Sequence, residues 1–149
     1  ERIARAMEGV TFEARLSHSV LQDMWDKWVF LASLAGITCL MRAPVGDIVA
    51  APGGLDATLA LLEDCRRVAS DNGHAPSESV LAKARGVLTE EGSTLSASMM
   101  SDLEQGGSVE ADHVVGDLIA RAAPGAALPL LRIAYAHLKA YEHRRTRDA

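Results

Sequence analysis

The run from Trp28 to Met41, "WVFLASLAGITCLM", constrains this chain more than any other feature. It carries no charge, and only Ser33 and Thr38 interrupt it with polar groups. An apolar stretch with no polar face has to be covered on all sides, so it predicts a buried core helix with other elements laid around it. The uncharged run alone is too short to cross a bilayer, which takes about 20 residues. Immediately before it, Trp25 and Trp28 flank an Asp26-Lys27 pair, so Lys27 stands at the mouth of the most apolar helix in the sequence.

Composition extends this reading to the whole chain. Its 149 residues fall within the range of one compact domain. With 48% hydrophobic and 23% charged residues, it can bury a substantial core. The apolar content is mainly Ala, Leu and Val with few aromatics, and Ala and Leu are the strongest helix formers, so the expected class is all-α. A net charge of −5 argues against a nucleic-acid binder, which needs a basic face to neutralise phosphates. The one basic cluster, "HRRTR" from His143, reads as cations offsetting the dipole of a final helix. Cys39 and Cys65 fall in predicted helices without metal-like spacing and read as buried thiols of a reducing, cytoplasmic protein. No signal-peptide pattern opens the sequence, and a soluble protein with no membrane partner is expected. Because the chain begins with Glu1, it is expected to be a piece of something longer.

Punctuation divides the sequence into helices. Residues 1–9 read as the end of a helix, and "VTFEARL" alternates like a short strand or extended linker. Ser17 is available to cap a helix from about His18 to Met41. The segment "RAPVGDIVAAPGG", with two prolines and three glycines, is expected to break helix. A second helix spans about Leu55 to Ser70, with Leu59, Leu62, Cys65 and Val68 at helical spacing, and ends at "DNG". A third spans about Ser77 to Leu88, capped by Ser77 or Ser79. The Ser-rich tract after it reads as loop with one or two helical turns. Ser108 then caps a helix from Val109 to Ala123, and Leu128 and Pro129 open a last helix to about Arg147. With no strand pair and no repeat, five or six helices form a bundle.

The groups that could carry chemistry are few. Asp23 lies one turn before Lys27, an orientation that favours a surface ion pair worth about 0.2–0.5 kcal/mol. The alternative rests on the neighbours Met24, Trp25, Trp28, Val29, Phe30 and Leu31, which leave little of this surface obviously wet; a partly desolvated lysine is a better proton donor near neutral pH. In "SASMMSD", Ser98 and Asp102 are four apart and share a face if that piece is helical. Ser96, Ser98 and Ser101 are also ordinary loop and cap residues. Glu110, in the first turn after Ser108, is stabilised there by the helix dipole. The five histidines make no metal-like pattern with carboxylates or cysteines, so no metal is expected, and no Ser-His-Asp arrangement can be argued from spacing. No G-x-G-x-x-G follows a strand, so this chain alone should not bind a dinucleotide.

In order along the chain stand a tryptophan with a lysine two residues on, opening a long apolar helix; Gly46 with "DIVAAPGG"; and "LLEDCRRVASDNG". "SASMMSD" is similar to an S-S-M-x-x-D motif, and "SVEADHVVGD", ten residues after Ser98, to T-E-I-D-x-x-x-G, before a Pro-initiated last helix. From about Ser17 to Tyr141 the chain resembles the C-terminal domain of the ketopantoate reductases (2-dehydropantoate 2-reductases). The resemblance implies an all-α bundle of the 6-phosphogluconate dehydrogenase C-terminal-domain type. It also implies an NADP-dependent enzyme of pantothenate biosynthesis that reduces a 2-oxoacid to a 2-hydroxyacid. Residues 1–16 would be the connection from a missing N-terminal Rossmann domain, the main holder of NADP, and residues 17–149 the helical domain, inactive without that partner. By this resemblance Lys27 is the proton donor to the ketone oxygen, Ser98, Met99, Met100 and Ser101 contact substrate, Glu110 lies near cofactor and substrate, and Asp102 supports the site. Apolar helices in so small a domain make a homodimer plausible. The family places asparagines one and two turns after the lysine, where this chain has Leu31 and Ala35, so the substrate is expected to differ. The competing reading of that departure is a helical dimerisation or regulatory module that has lost catalysis.

Overall fold

The apolar run lies inside a 22-residue helix, α1 (Val20–Met41), of a computed structural model that describes residues 17–147. Around it follow α2 (Val45–Ala50), α3 (Gly54–Asp71), α4 (Glu78–Leu88) and α5 (Ser98–Glu104). A π-helical turn at Asp112–Gly116 then runs into α6 (Asp117–Ala120), and α7 (Pro129–Arg147) closes the fold. Among the described residues there is no strand, and the all-α class expected from composition is the class observed.

The core is built on three mutually packed helices, α1, α3 and α7. Every residue of α1 from Ala32 to Cys39 is buried. Against it α3 sets Leu61, Leu62, Cys65 and Val68, and α7 sets Leu131, Ala134, Leu138 and Tyr141. Gly36 lets these helices close up: a Cβ there would lie 2.8 Å from Leu61 Cδ2 and 3.6 Å from Ala134 Cβ. The start of α7 is fixed by α3, because the buried carboxylate of Asp64 accepts the N–H groups of Leu130 and Leu131 at 2.9 and 3.1 Å. A carboxylate on free N–H groups at a helix N-terminus satisfies donors that the helix cannot pair itself and complements its dipole.

Several expected boundaries move. Helix α1 starts at Val20 rather than His18, with Ser19 at its N-cap, while Ser17 Oγ accepts from Ser19 N–H at 3.0 Å. The helix holding the uncharged run is also longer than the run itself. By length and composition it could span a membrane, yet more than half of that apolar stretch is buried inside the molecule, as in a core helix. The segment "RAPVGDIVAAPGG" does not break helix throughout, since it holds α2. Pro44 stands at its N-cap, where its missing N–H costs nothing, and the helix ends at Ala50, with Ala51 as its extended C-cap before Pro52. In α4 Ser77 is the cap, accepting from Val80 N–H at 3.4 Å.

The helix expected from Val109 to Ala123 is the largest departure. Helical backbone begins at Ala111, Ser108 does not cap it, and Asp117 N–H reaches back to the Asp112 carbonyl. The Trp28 indole takes the Val114 carbonyl at 2.9 Å, and a side chain entering the helical ladder accompanies such a bulge. The expectations for residues 1–16 lie outside the described residues.

Candidate functional site

Three elements converge at the side of α1. Lys27, Leu31 and Ala35 follow one another at i, i+4 and i+8, so they share a face of that helix. The second wall is the segment leading into α5, held by backbone pairing: Val45 N–H donates to Leu95 O at 2.9 Å and Gly46 N–H to Ser93 O at 2.8 Å. A Cβ at Gly46 would come within 2.5 Å of Ser93 N, so glycine is what permits this approach. Thr38, one of the two polar interruptions of the apolar run, donates its hydroxyl to Leu34 O at 2.7 Å and accepts Ala97 N–H at 3.4 Å. It thereby ties the N-cap residue of α5 to α1.

Helix α5 buries Met99, Met100 and Leu103 and then turns back at Gly106 and Gly107. Gly106 has φ +76, and the Gly107 carbonyl accepts the Tyr141 hydroxyl at 2.6 Å. This return brings Glu110 beside α5. Its carbonyl accepts Val114 N–H at 3.0 Å, so Glu110 stands at the entry of the helical segment rather than inside its first turn.

Between these walls lies a cavity of about 350 Å³. Leu31, Leu34 and Ala35 of α1 line one side; Ser96 to Met99 and Asp102 line another; Glu110 and Val114 complete it. Four residues singled out from the sequence, Ser98, Met99, Asp102 and Glu110, are thus brought to one cavity, together with Leu31 and Ala35. Ser98 and Asp102 share a face because their segment is helical. Met100 and Ser101 do not line this cavity: Met100 turns into the core and Ser101 is half-buried. A second cavity of about 250 Å³, at the α2–α3 turn, gathers none of these residues.

Lys27 departs from both expectations. It is exposed, and among the described residues it has no ion pair, with Asp23 or any other group. The neighbours that were to desolvate it are themselves open: Met24 is 58% exposed and Leu31 40%, with only Trp25 and Val29 buried in this part of α1. Lys27 is not in the cavity lining but lies one helical turn from Leu31, on the same row. The lining itself holds two carboxylates and no Lys, Arg or His.

Other contacts stabilise the walls. The Arg121 guanidinium lies 5.1 Å over the Trp28 ring, and Trp25 stacks on His74 and meets Trp28 at a tilt, with centroids 5.3 and 5.2 Å away. The D-x-x-x-G spacing of Asp112 and Gly116 acquires a physical reason. The Asp112 carboxylate accepts the Tyr135 hydroxyl at 2.6 Å and the Lys139 ammonium at 3.0 Å, and a Cβ at Gly116 would press within 3.0 Å of the Tyr135 ring. These donors hold the Asp112 carboxyl below the usual carboxylate range, the Tyr135 hydroxyl first and Lys139 second. In return, bonding to Asp112 pushes the Tyr135 hydroxyl up. Lys139 is raised, first by its bond to Glu142 and then by Asp112.

Sequence reasoning missed Trp28, Thr38 and Tyr141 as positioning residues. Thr38 carried a signal, as a hydroxyl inside an otherwise apolar run; the other two carried none beyond their aromatic rings. Cys39 and Cys65 are free and buried, and burial pushes both thiols up to about 12, too high for a reactive thiolate. Among the described residues no group of His, Cys, Asp or Glu could hold a metal ion.

Comparison with known proteins places this geometry in a family context. The family model "Ketopantoate reductase PanE/ApbA C terminal" matches residues 19–142. An uncharacterized oxidoreductase, YkpB of Bacillus subtilis (strain 168), is 31% identical over 141 residues, which are 94% of this chain and 46% of that protein. The dimeric ketopantoate reductase from Staphylococcus aureus superposes with a TM-score of 0.83 at 23% identity, over 97% of this chain and 51% of that one. A D-mandelate dehydrogenase solved with NADH and anilino(oxo)acetate gives 0.80 at 15% identity, over 97% and 61%. At these identities the two structures show a shared fold, and the chain spans about half the length of such relatives.

Proposed function

The chain belongs to the ketopantoate reductase C-terminal family, and from that premise we propose that it is the helical domain supplying substrate pocket and proton donor to an NADP-dependent 2-oxoacid reductase of the 2-dehydropantoate 2-reductase type. The observation that carries the reading is the cavity: motif residues far apart in sequence, Ser98, Asp102 and Glu110, meet there beside the helix row that begins at Lys27.

In this reading a 2-oxoacid sits with its ketone at the cavity mouth. As carbon receives hydride, the oxygen gains negative charge, and the Lys27 ammonium stabilises it and donates the proton that yields the hydroxyl. Ser98 offers its hydroxyl to the substrate carboxylate, Met99 packs against the substrate, and Asp102 orients the serine side of the pocket. Bound NADPH would supply the hydride. No strand or glycine fingerprint occurs among the described residues, so most of its binding falls to an N-terminal Rossmann domain, with Glu110 the residue of this chain that fits a role facing it. Closure of that domain over the exposed end of α1 would exclude water from Lys27 and strengthen its interaction with the oxyanion. The two unreactive buried thiols fit a cytoplasmic enzyme.

The test is oxidation of NADPH, and in parallel NADH, by the full-length protein against a panel of 2-oxoacids that includes 2-dehydropantoate. Turnover should fall by about 10²–10⁴-fold in Lys27→Ala, the usual weight of a general acid. Turnover indifferent to that substitution contradicts the assignment of the lysine. A second reading, a helical module without catalysis, is favoured by Leu31 and Ala35 in the lysine's own row and would be supported by the absence of turnover on any substrate. Homodimerisation through the exposed Val20, Leu21 and Met24 belongs to either reading and is measured by light scattering.

A further inference from the structure

The cavity is not uniform in chemistry. Its α1 wall presents only carbon, from Leu31, Leu34 and Ala35, and Val114 and Met99 add to it from the facing elements. Its polar side chains, Ser96, Ser98, Asp102 and Glu110, all stand on the other walls. The polar side chains of the buried half of α1 are already committed: Ser33 donates to Val29 O at 2.7 Å, and Thr38 bonds Leu34 O and Ala97 N–H. Backbone groups there are used within the helix. Against the buried Leu34 and Ala35 a substrate hydroxyl would therefore lose water and find no partner on that wall, whereas a methyl or methylene group would gain by burial.

We infer that the substrate is a 2-oxoacid whose side chain is a hydrocarbon rather than a hydroxylated chain, an inference that rests on the reductase reading above. Its acid end meets the serine hydroxyls, its ketone lies toward Lys27, and its side chain descends along Leu31, Leu34 and Ala35. The determinant is Leu31, the first residue of the row past the lysine.

A matched pair of substrates isolates the effect. 3,3-Dimethyl-2-oxobutanoate and 2-dehydropantoate differ by one hydroxyl group. With the full-length protein and saturating reduced cofactor, kcat/KM should favour the hydrocarbon acid by about tenfold or more, the scale on which an unpaired buried polar group discriminates. Leu31→Asn, at a site exposed enough to accept an amide, should move the ratio toward 2-dehydropantoate by about tenfold, and circular dichroism would verify that the variant is folded. Preference for 2-dehydropantoate in the unmodified protein overturns this inference while leaving the reductase reading intact. A ratio unchanged in folded Leu31→Asn overturns the role of Leu31. Failure to turn over any 2-oxoacid overturns the reductase reading itself, and this inference with it.

Discussion

Helix α1 has two halves of different character. From Ala32 to Cys39 every residue is buried, covered by α3, α5 and α7; from Val20 to Leu31 only Trp25 and Val29 are. The outer half carries Gln22, Asp23, Asp26 and Lys27, but its Leu21, Met24 and Leu31 are as hydrophobic as anything in the core, yet they stand at 62, 58 and 40% exposure. Apolarity reports what a residue would gain from burial, and neighbours decide whether burial is available. The core half has neighbours on every side. The other half is held along one edge, by the Trp28 bond to Val114 and the Trp25 stack on His74, and leaves Lys27 and Leu31 to open space and the mouth of the cavity.

Truncating each half sharpens this difference. Ile37→Ala, in the fully buried half, should lower unfolding free energy by about 2–5 kcal/mol, measured by denaturant titration. Leu31→Ala and Lys27→Ala should stay within about 1 kcal/mol of the unmodified protein. Equal losses in both halves would break the comparison. Next in size is Asp64→Ala, which uncaps α7, the helix that covers the core half; a loss of about 1–2 kcal/mol is expected. Thr38→Val keeps the shape but removes the hydroxyl joining α1 to the α5 entry. It should cost about 1 kcal/mol and raise KM more than it lowers kcat, because the serine wall shifts.

The smallest effect concerns the latch behind the π turn. The folded-state Asp112 carboxyl lies below its ordinary value, so its stabilising effect is complete above the unfolded value and is lost as pH falls through the folded one. The difference in melting temperature between the unmodified protein and Asp112→Asn should be present at neutral pH and shrink below about pH 4. A difference that grows on acidification would contradict the hydrogen-bonded carboxylate.

How much of this was legible in the sequence follows from the kind of interaction involved. The long helices declared themselves, since periodic Leu, Cys and Val on α3 and the Pro-initiated α7 depend on local pattern. Helix α2 hid between its prolines, because those residues mark the ends of a short helix as readily as its absence. The π turn was invisible: it accompanies a tryptophan bond from a residue 86 positions away in sequence. The same division holds at the site. The order of "SASMMSD" and "SVEAD" signalled Ser98, Asp102 and Glu110 as a group, and the cavity gathers them. The exposure of Lys27 could not be read, because burial of an i+4 row depends on which helices happen to cover it.

The central claim is that the open half of α1 aims Lys27 at a substrate held in the cavity. A crystal structure of the full-length protein with reduced cofactor and a 2-oxoacid tests it most directly. The account predicts substrate between Leu31, Ser98 and Glu110, with Lys27 Nζ within about 2.6–3.2 Å of the ketone oxygen. Substrate bound elsewhere, or a lysine still turned to bulk water in the closed complex, would contradict it.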